Sequence, residues 1–326
     1  MEKATKVSIL VPVYRAEDYI VKCAESLFLQ TYKDIEYVFV NDCAKDNSIE
    51  LLNSTLLKYP HRKDNVIIVN HSCNRGVAAA RNTAVETATG DFLMWVDPDD
   101  YLDVNAVDLL VQELNRTLAD VIIFSNYSMR TDGVVCKHAS SMEKHYFISL
   151  ILLNTIPGVL WNKIIRASLY KEQETLFVEG HNQGEDYSVI PRILYSTSNI
   201  VWFDKPLYYY NELNVSSYSN NINIKSIYNQ LFADDTLYSF FKDKEEYEAV
   251  LPLIYIRSLL FLIKTSIPSN YKDAVEIYSD RISLRWMKQL SLTDNIIICL
   301  LKIKMYRTLS YLIKFTKKVR YKIIDT

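Results

Sequence analysis

Residues 92–96, Phe-Leu-Met-Trp-Val, form a continuous apolar run with no polar alternation. Such a run suits a strand covered on both faces, as in an α/β sheet, rather than one with a solvated side. It ends abruptly in Asp97-Pro98-Asp99-Asp100. The fixed φ of Pro98 makes a tight corner and holds Asp97 and Asp99 near one point, where oxygen ligands could meet a hard divalent cation. Three carboxylates this close repel one another unless a cation or an arginine offsets them. An isolated Asp-x-Asp is also what a solvated turn with a helix-capping Asp looks like. The flanking segments have to decide between the two.

Those segments alternate. A short strand at 7–11 is stopped by Pro12. A helix over 18–29 follows, with Ile20, Cys23, Ala24, Leu27 and Phe28 at i, i+3, i+4, i+7 and i+8. A strand at 35–40 ends at Asn41-Asp42. Asp46-Asn47-Ser48 are helix-capping residues ahead of a helix over 49–59. A strand at 66–69, a loop to Asn74-Arg75-Gly76 and an Ala-rich helix over 77–88 lead into the run at 92–96. This pattern predicts a doubly wound, mostly parallel sheet flanked by helices. Ligands of such sheets sit beyond the carboxyl ends of the strands, where Tyr14, Asp42 and Asp97 to Asp99 all fall.

Beyond a helix at 104–118 and a strand at 121–124 the pattern loosens. A helix is expected at 146–153, then a loop at Pro157-Gly158. A polar loop over 180–184 delivers Glu185-Asp186 to a helix over 187–195, and two short β segments, 201–203 and 207–210, flank Pro206. From about 220 the chain reads as helical, with Pro252 and Pro268 as breaks. The expected division is a catalytic-type α/β domain over 1–219 and a helical C-terminal extension over 220–326.

Composition narrows the function. With 49% apolar and 23% charged residues the chain is globular. Six glycines provide neither Gly-x-Gly-x-x-Gly nor Gly-x-x-x-x-Gly-Lys, so a nucleotide here must be held by metal and side chains. The five histidines show no metal-ligand spacing and read mostly as surface residues. No Gly-x-Ser-x-Gly points to a hydrolase. Five scattered cysteines without a Cys-x-x-Cys pair suit free thiols in a reducing compartment, and no run of 18 apolar residues is present. These features suggest a cytoplasmic protein.

The ordered motifs Ser8 to Tyr14 with Glu17, Val40-Asn41-Asp42 with Asp46-Asn47-Ser48, Asn74-Arg75-Gly76 to Ala80-Arg81-Asn82, Gly90-Asp91 to Asp97-Pro98-Asp99-Asp100, and Gly184-Glu185-Asp186 resemble those of the family 2 glycosyltransferases. Each motif is weak alone, but five in order at strand exits are mutually consistent. The resemblance covers roughly the first two thirds of the chain. It implies a GT-A-type fold and an inverting, metal-dependent transfer from a nucleotide-activated sugar, with Mn²⁺ or Mg²⁺. Carried over, it implies that Pro12, Val13, Tyr14 and Glu17 line the nucleotide site and that Asp42 accepts a hydrogen bond from the base. Arg81 would lie near the nucleotide, Asp97 near the ribose or metal, and Asp99 would bind the metal directly.

Asp186 is the candidate general base for the acceptor hydroxyl, with Glu185 as the fallback. Read locally, Asp186 is also simply an acid at a helix N-terminus. Trp161 and Lys163 match a Trp-x-Lys segment common in these enzymes, suggesting contact with acceptor or diphosphate; a buried Trp with a solvated Lys is the alternative. Where the family has Gly-Ser after the Asp, this chain has Cys43-Ala44, which puts the shape of that loop in question. A sugar nucleotidyltransferase or a non-catalytic carbohydrate-binding or scaffold protein are the rival readings. The first would want a Gly-rich basic loop that residues 11–18 lack.

Charge is unevenly spread. Residues 295–324 hold eight Lys/Arg and no acid, so with a total of -2 the rest of the chain carries -10. Met305, Leu309, Leu312, Ile313 and Thr316 fall at helical spacing, predicting a basic amphipathic helix within 302–322. The expected partners are a nucleotide-sugar donor, a glycan or lipid-linked acceptor and an anionic membrane surface on the cytoplasmic face, with no nucleic acid.

Overall fold

The computed structural model describes residues 4–171, 177–214, 222–265, 268–283 and 288–313. They divide into two compact units, residues 1–148 with 158–215 and residues 149–157 with 216–326.

The first unit starts as β1 (Val7–Val13), α1 (Ile20–Phe28), β2 (Ile35–Asn41), α2 (Ser48–Leu56), β3 (Val66–Asn70), α3 (Val77–Thr87) and β4 (Phe92–Trp95). These four strands pair in parallel in the order β3-β2-β1-β4. One sheet face, Val7, Ile9, Val11, Tyr37, Phe39 and Met94, joins Ile20, Cys23, Ala24, Leu27 and Phe28 of α1 in a single core. The alternate residues Leu10, Val38, Val40 and Trp95 are also fully buried, and α3 packs on β1 and β2. The Ala-rich sequence of α3 leaves little side-chain bulk between helix and sheet.

β1 runs through Pro12 instead of stopping there. The carbonyl of Val13 accepts from Asp42 N at 3.0 Å on the β2 side, so the missing Pro12 donor falls on the opposite side. There β4 pairs only as far as Leu10, and no ladder bond is forfeited.

The chain continues with β5 (Tyr101–Leu102), α4 (Ala106–Thr117), β6 (Val121–Arg130), β7 (Gly133–Lys137), α5 (Lys144–Leu152), whose residues from Ser149 on belong to the second unit, β8 (Lys163–Arg166), α6 (Ala167–Lys171), α7 (Glu185–Tyr195) and β9 (Ile200–Asn211). Antiparallel β8 sits between β4 and β6 and makes the sheet mixed. The two segments expected around Pro206 are one strand, β9, parallel to β6. Its register slips where Ser125 faces Pro206, because a bulge admits a proline without an N–H.

The second unit holds α8 (Ile224–Phe241), α9 (Ile254–Thr265), α10 (Tyr271–Tyr278) and α11 (Leu292–Lys302), followed by helical residues 306–313. Pro252 and Pro268 lie in single 3-10 turns ahead of α9 and α10, so each marks a helix start. Buried Asp234 accepts from Ser258 Oγ and Tyr278 Oη, both at 2.7 Å, and so pins α8 to α9 and α10. The apolar face expected to lie on a membrane instead packs inward: Leu309 and Ile313 are buried in this helical core, and only Met305 is exposed. Residues 314–322 of the expected tail lie outside the described residues. Among the described residues no helix is long and apolar enough to cross a membrane.

Candidate active site

The site is built around Arg81. The other buried positions of its helix are four alanines, Ala78, Ala79, Ala80 and Ala84, and Val85, and the helix brings a long cation to the sheet with only 4% exposure. The guanidinium lies 5.0 Å over the Trp95 ring at the end of β4 and 6.0 Å from Phe177. Nη2 is 3.6 Å from Asp97 Oδ1 and 3.3 Å from Asp186 Oδ1, and Nε is 3.6 Å from Glu185 Oε1. The arginine therefore joins the β4 exit to the first turn of α7. These are charge contacts rather than tight hydrogen bonds, since Arg81 Nε and Nη1 and Asp186 Oδ1 have no hydrogen-bond partner.

One guanidinium does not neutralise so many acids. Burial pushes the Asp97 carboxyl up to about 7, with Arg81 opposing and Asp99 and Asp186 adding to the rise. Burial and Asp186 push Glu185 up to about 8, again against Arg81. Those carboxylates hold Arg81 more firmly charged than usual despite its burial.

The three acids at the β4 exit have separate fates. Asp97 turns to Arg81, while Asp99 accepts from Asn214 Nδ2 at 2.7 Å. Asp100 is 1% exposed and points inward, accepting from Tyr208 Oη at 2.6 Å and Asn211 N at 2.7 Å. Burial holds it well above the usual carboxylate range. Tyr208 Oη also accepts from Asp97 N at 3.1 Å, so β9 fixes the whole turn. Among the described residues no three His, Cys, Asp or Glu side chains are grouped to hold a metal. The donor set still fits a hard cation. Asp97 and Asp99 offer carboxylate oxygens and the centre has surplus negative charge, so the remaining ligands would come from phosphate and water.

Asp42, 3% exposed, accepts from Arg75 N and His71 Nδ1 at 2.8 Å on Oδ1 and from Gly76 N at 2.7 Å on Oδ2. It thereby sets the loop that opens α3. His71, among the histidines read mostly as surface residues, sits just past β3 with its side chain only 5% exposed and Nε2 on Thr83 Oγ1 at 2.9 Å. Gly76 has φ +90°, and a Cβ there would lie 2.2 Å from Asn182 Nδ2. Asn182 Oδ1 accepts from Ala78 N at 3.2 Å. Cys43 occupies the family's glycine position and still takes φ 55°, so the loop keeps a left-handed residue without a glycine.

At the β1 exit, Pro12 and Val13 are buried in the strand and can offer only backbone, whereas Tyr14 is 42% exposed beside Arg15. Glu17 accepts from Asn47 N and Nδ2 at 3.1 Å, which ties this exit to α2.

Trp161 is buried and stacks on Tyr208 at 4.8 Å and on Tyr210 at 5.1 Å. Lys163, expected at a solvated or ligand-facing position, is 1% exposed, with Nζ donating to Val159 O and Asn162 Oδ1 at 2.6 Å. Burial pulls its ammonium down to about 7, against the opposing field of Asp186. Asp186 lies in the first turn of α7, after left-handed Gly184 at φ 73°, and its Oδ2 accepts from Leu160 N at 3.1 Å. His71, Tyr208, Asn182 and Asn214 are site-shaping residues that sequence reading missed. Only His71 carried a signal, its position one residue past a strand end.

Sheet and site together define a class: a GT-A-type α/β fold with an acidic centre at the carboxyl end of a parallel strand. Comparison with known proteins supplies the family. Residues 8–177, more than half of the chain, match glycosyl transferase family 2, and the chain belongs to that family. It is 30% identical over 218 residues to glycosyltransferase GlyA of Streptococcus pneumoniae, a match spanning 63% of this chain and 30% of GlyA. The fold is similar to that of S. aureus TarS 1-349 in complex with UDP-GlcNAc, with TM-score 0.73 and 18% identity over 96% of this chain and 92% of TarS 1-349. It is also similar to mannosyltransferase PcManGT from Pyrobaculum calidifontis in complex with GDP-Man and Mn²⁺, with TM-score 0.56 and 15% identity over 96% of this chain and 86% of that one.

Proposed function

We propose that this chain is an inverting glycosyltransferase that moves one sugar from a UDP-linked donor to a hydroxyl of a glycan or lipid-linked acceptor at the cytoplasmic face of a membrane. The observation that carries this reading is the placement of Asp97 and Asp186 on the same arginine nitrogen, at 3.6 and 3.3 Å. A donor-side acid and an acceptor-side acid are thus held within one residue's reach. Family membership and the UDP-GlcNAc complex of TarS support the donor class.

In the proposed reaction the acceptor oxygen attacks the anomeric carbon, the bond from that carbon to the phosphate oxygen breaks, and UDP leaves. The hydroxyl proton passes to the Asp186 carboxylate, and attack opposite the leaving group turns an α-linked donor into a β-linked product. Arg81 and the Leu160 N–H fix the orientation of that carboxylate. Burial and the neighbouring Asp186 raise the proton affinity of Glu185 to about 8, so Glu185 favours its neutral form near neutrality. Asp99, with Asp97 beside it, would hold Mn²⁺ or Mg²⁺, which neutralises the charge growing on the departing diphosphate. Tyr14 and Asp42, at the exits of β1 and β2, would meet the nucleotide.

Release of nucleoside diphosphate from a panel of nucleotide sugars with Mn²⁺ tests this reading. Pyrophosphate release would indicate a nucleotidyltransferase. Donor binding with no turnover on any acceptor, unchanged in Asp186→Asn, would indicate a binding module.

A further inference from the structure

α11 is apolar on two sides. Ile297, Ile298 and Leu301 face the helical core. On the opposite side are Leu292, Ile296, Cys299 and, at the C-cap, Ile303. At about 100° per residue these four positions fall within an arc of about 60° and run for about 16 Å. Leu292 is 79% exposed, Ile296 42% and Ile303 63%, and Cys299 is exposed too. A helix with one buried face ordinarily turns polar residues outward, whereas this one shows solvent a continuous aliphatic stripe.

Charge says what covers it. Lys302, Lys304 and Arg307 are exposed around the C-terminal end of the stripe. Five more Lys/Arg follow by residue 322, with no acid from 295 to 324. Asp294, the one acid of α11, is buried and held by Lys264 at 2.6 Å and Arg257 at 3.1 Å. Two copies of this face meeting symmetrically would press like charges together. An anionic bilayer satisfies both features, acyl chains against the stripe and lipid phosphates against the Lys and Arg.

We propose that the outer side of α11 is a docking surface for an anionic lipid bilayer. Leu292, Ile296, Cys299 and Ile303 insert, and Lys302, Lys304 and Arg307 sit on the headgroups. This surface is different from the Met305, Leu309, Ile313 face that the sequence pattern suggested, and the proposal stands apart from the transferase reading.

The test is flotation of the full chain with vesicles of phosphatidylcholine and phosphatidylglycerol at 7:3, compared with phosphatidylcholine alone. Binding to the anionic vesicles should weaken at least tenfold in 0.5 M NaCl and on the neutral vesicles. The triple variant Leu292→Ser, Ile296→Ser, Ile303→Ser should lose at least tenfold at unchanged charge and unchanged Tm. A fluorophore on Cys299, with Cys43, Cys73 and Cys136 replaced by Ser, should be quenched by brominated lipid. Wild-type flotation by the triple variant, or an unquenched label, would overturn the proposal. So would a lowered Tm, which would mean the chain itself covers the stripe, or a change confined to oligomeric mass, which would mean a second copy does.

Discussion

At the residue scale the charge balance of the acidic centre rests on Arg81. Removing the positive partner of a buried ion pair costs about 3–5 kcal/mol because the remaining charges are left uncompensated. Arg81→Met should therefore lower stability by that order in thermal unfolding, with Arg81→Lys intermediate, since Lys keeps the charge but loses the fork. Asp186→Asn should behave differently. It preserves the shape and the Leu160 contact, so kcat should fall about 10²–10⁴-fold, with donor affinity and Tm near wild type. Equal losses in kcat and donor affinity would assign Asp186 to donor binding instead. Cys43 offers a backbone test. A left-handed residue strains a side chain by about 1–2 kcal/mol, most for a β-branched one. Cys43→Val should unfold at lower denaturant than Cys43→Gly by the equivalent of roughly 1–2 kcal/mol. Parity between the two would mean the loop is free to change conformation.

At the element scale, the turn leaving β4 is shaped by β9. Tyr208 Oη accepts from Asp97 N and donates to Asp100, so one buried hydroxyl decides that Asp100 points inward. Tyr208→Phe leaves a buried N–H and a buried carboxyl short of partners, a loss of about 1–3 kcal/mol. It should also raise the metal concentration needed for half-maximal activity, because the turn that carries Asp99 loses the bonds on either side of it. A stability loss without that change would confine Tyr208 to packing. The local pattern at 97–100 is legible in the sequence, as are α1, α3 and the four parallel strands, because apolar period and strand exits are written in neighbouring residues. The fates of Asp99 and Asp100 are not, since their partners Asn214, Tyr208 and Asn211 lie more than 100 residues away. Lys163 is misread for a similar reason. Its acceptors are near in sequence, but its burial depends on β4, β6 and α7.

Across the whole molecule the acidic centre ties stability to pH and, in the proposed reading, to metal. Asp97 and Glu185 are raised to about 7 and about 8, against an unfolded value near ~4. Between those limits the unfolded chain releases protons that the folded chain keeps. Their contribution is therefore full below about pH 4 and fades as pH rises through the folded values. A divalent cation favours the ionised carboxylates, so the Tm increase produced by Mn²⁺ should be several degrees larger at pH 8 than at pH 5.5, and Asp97→Asn should remove most of that difference. A pH-independent increase would place the cation elsewhere.

The sequence by itself determined the order of the first four strands and the helices between them, the family and the identity of Arg81, Asp97 and Asp186 as residues of interest. These follow from short-range periodicity and from motifs read in order. Only the tertiary structure decided that one guanidinium is shared by three carboxylates, that the Lys163 and His71 side chains are hidden from solvent, and that α11 carries an exposed apolar side. Burial and charge pairing depend on which distant segments fold against a residue, and no local spacing encodes that.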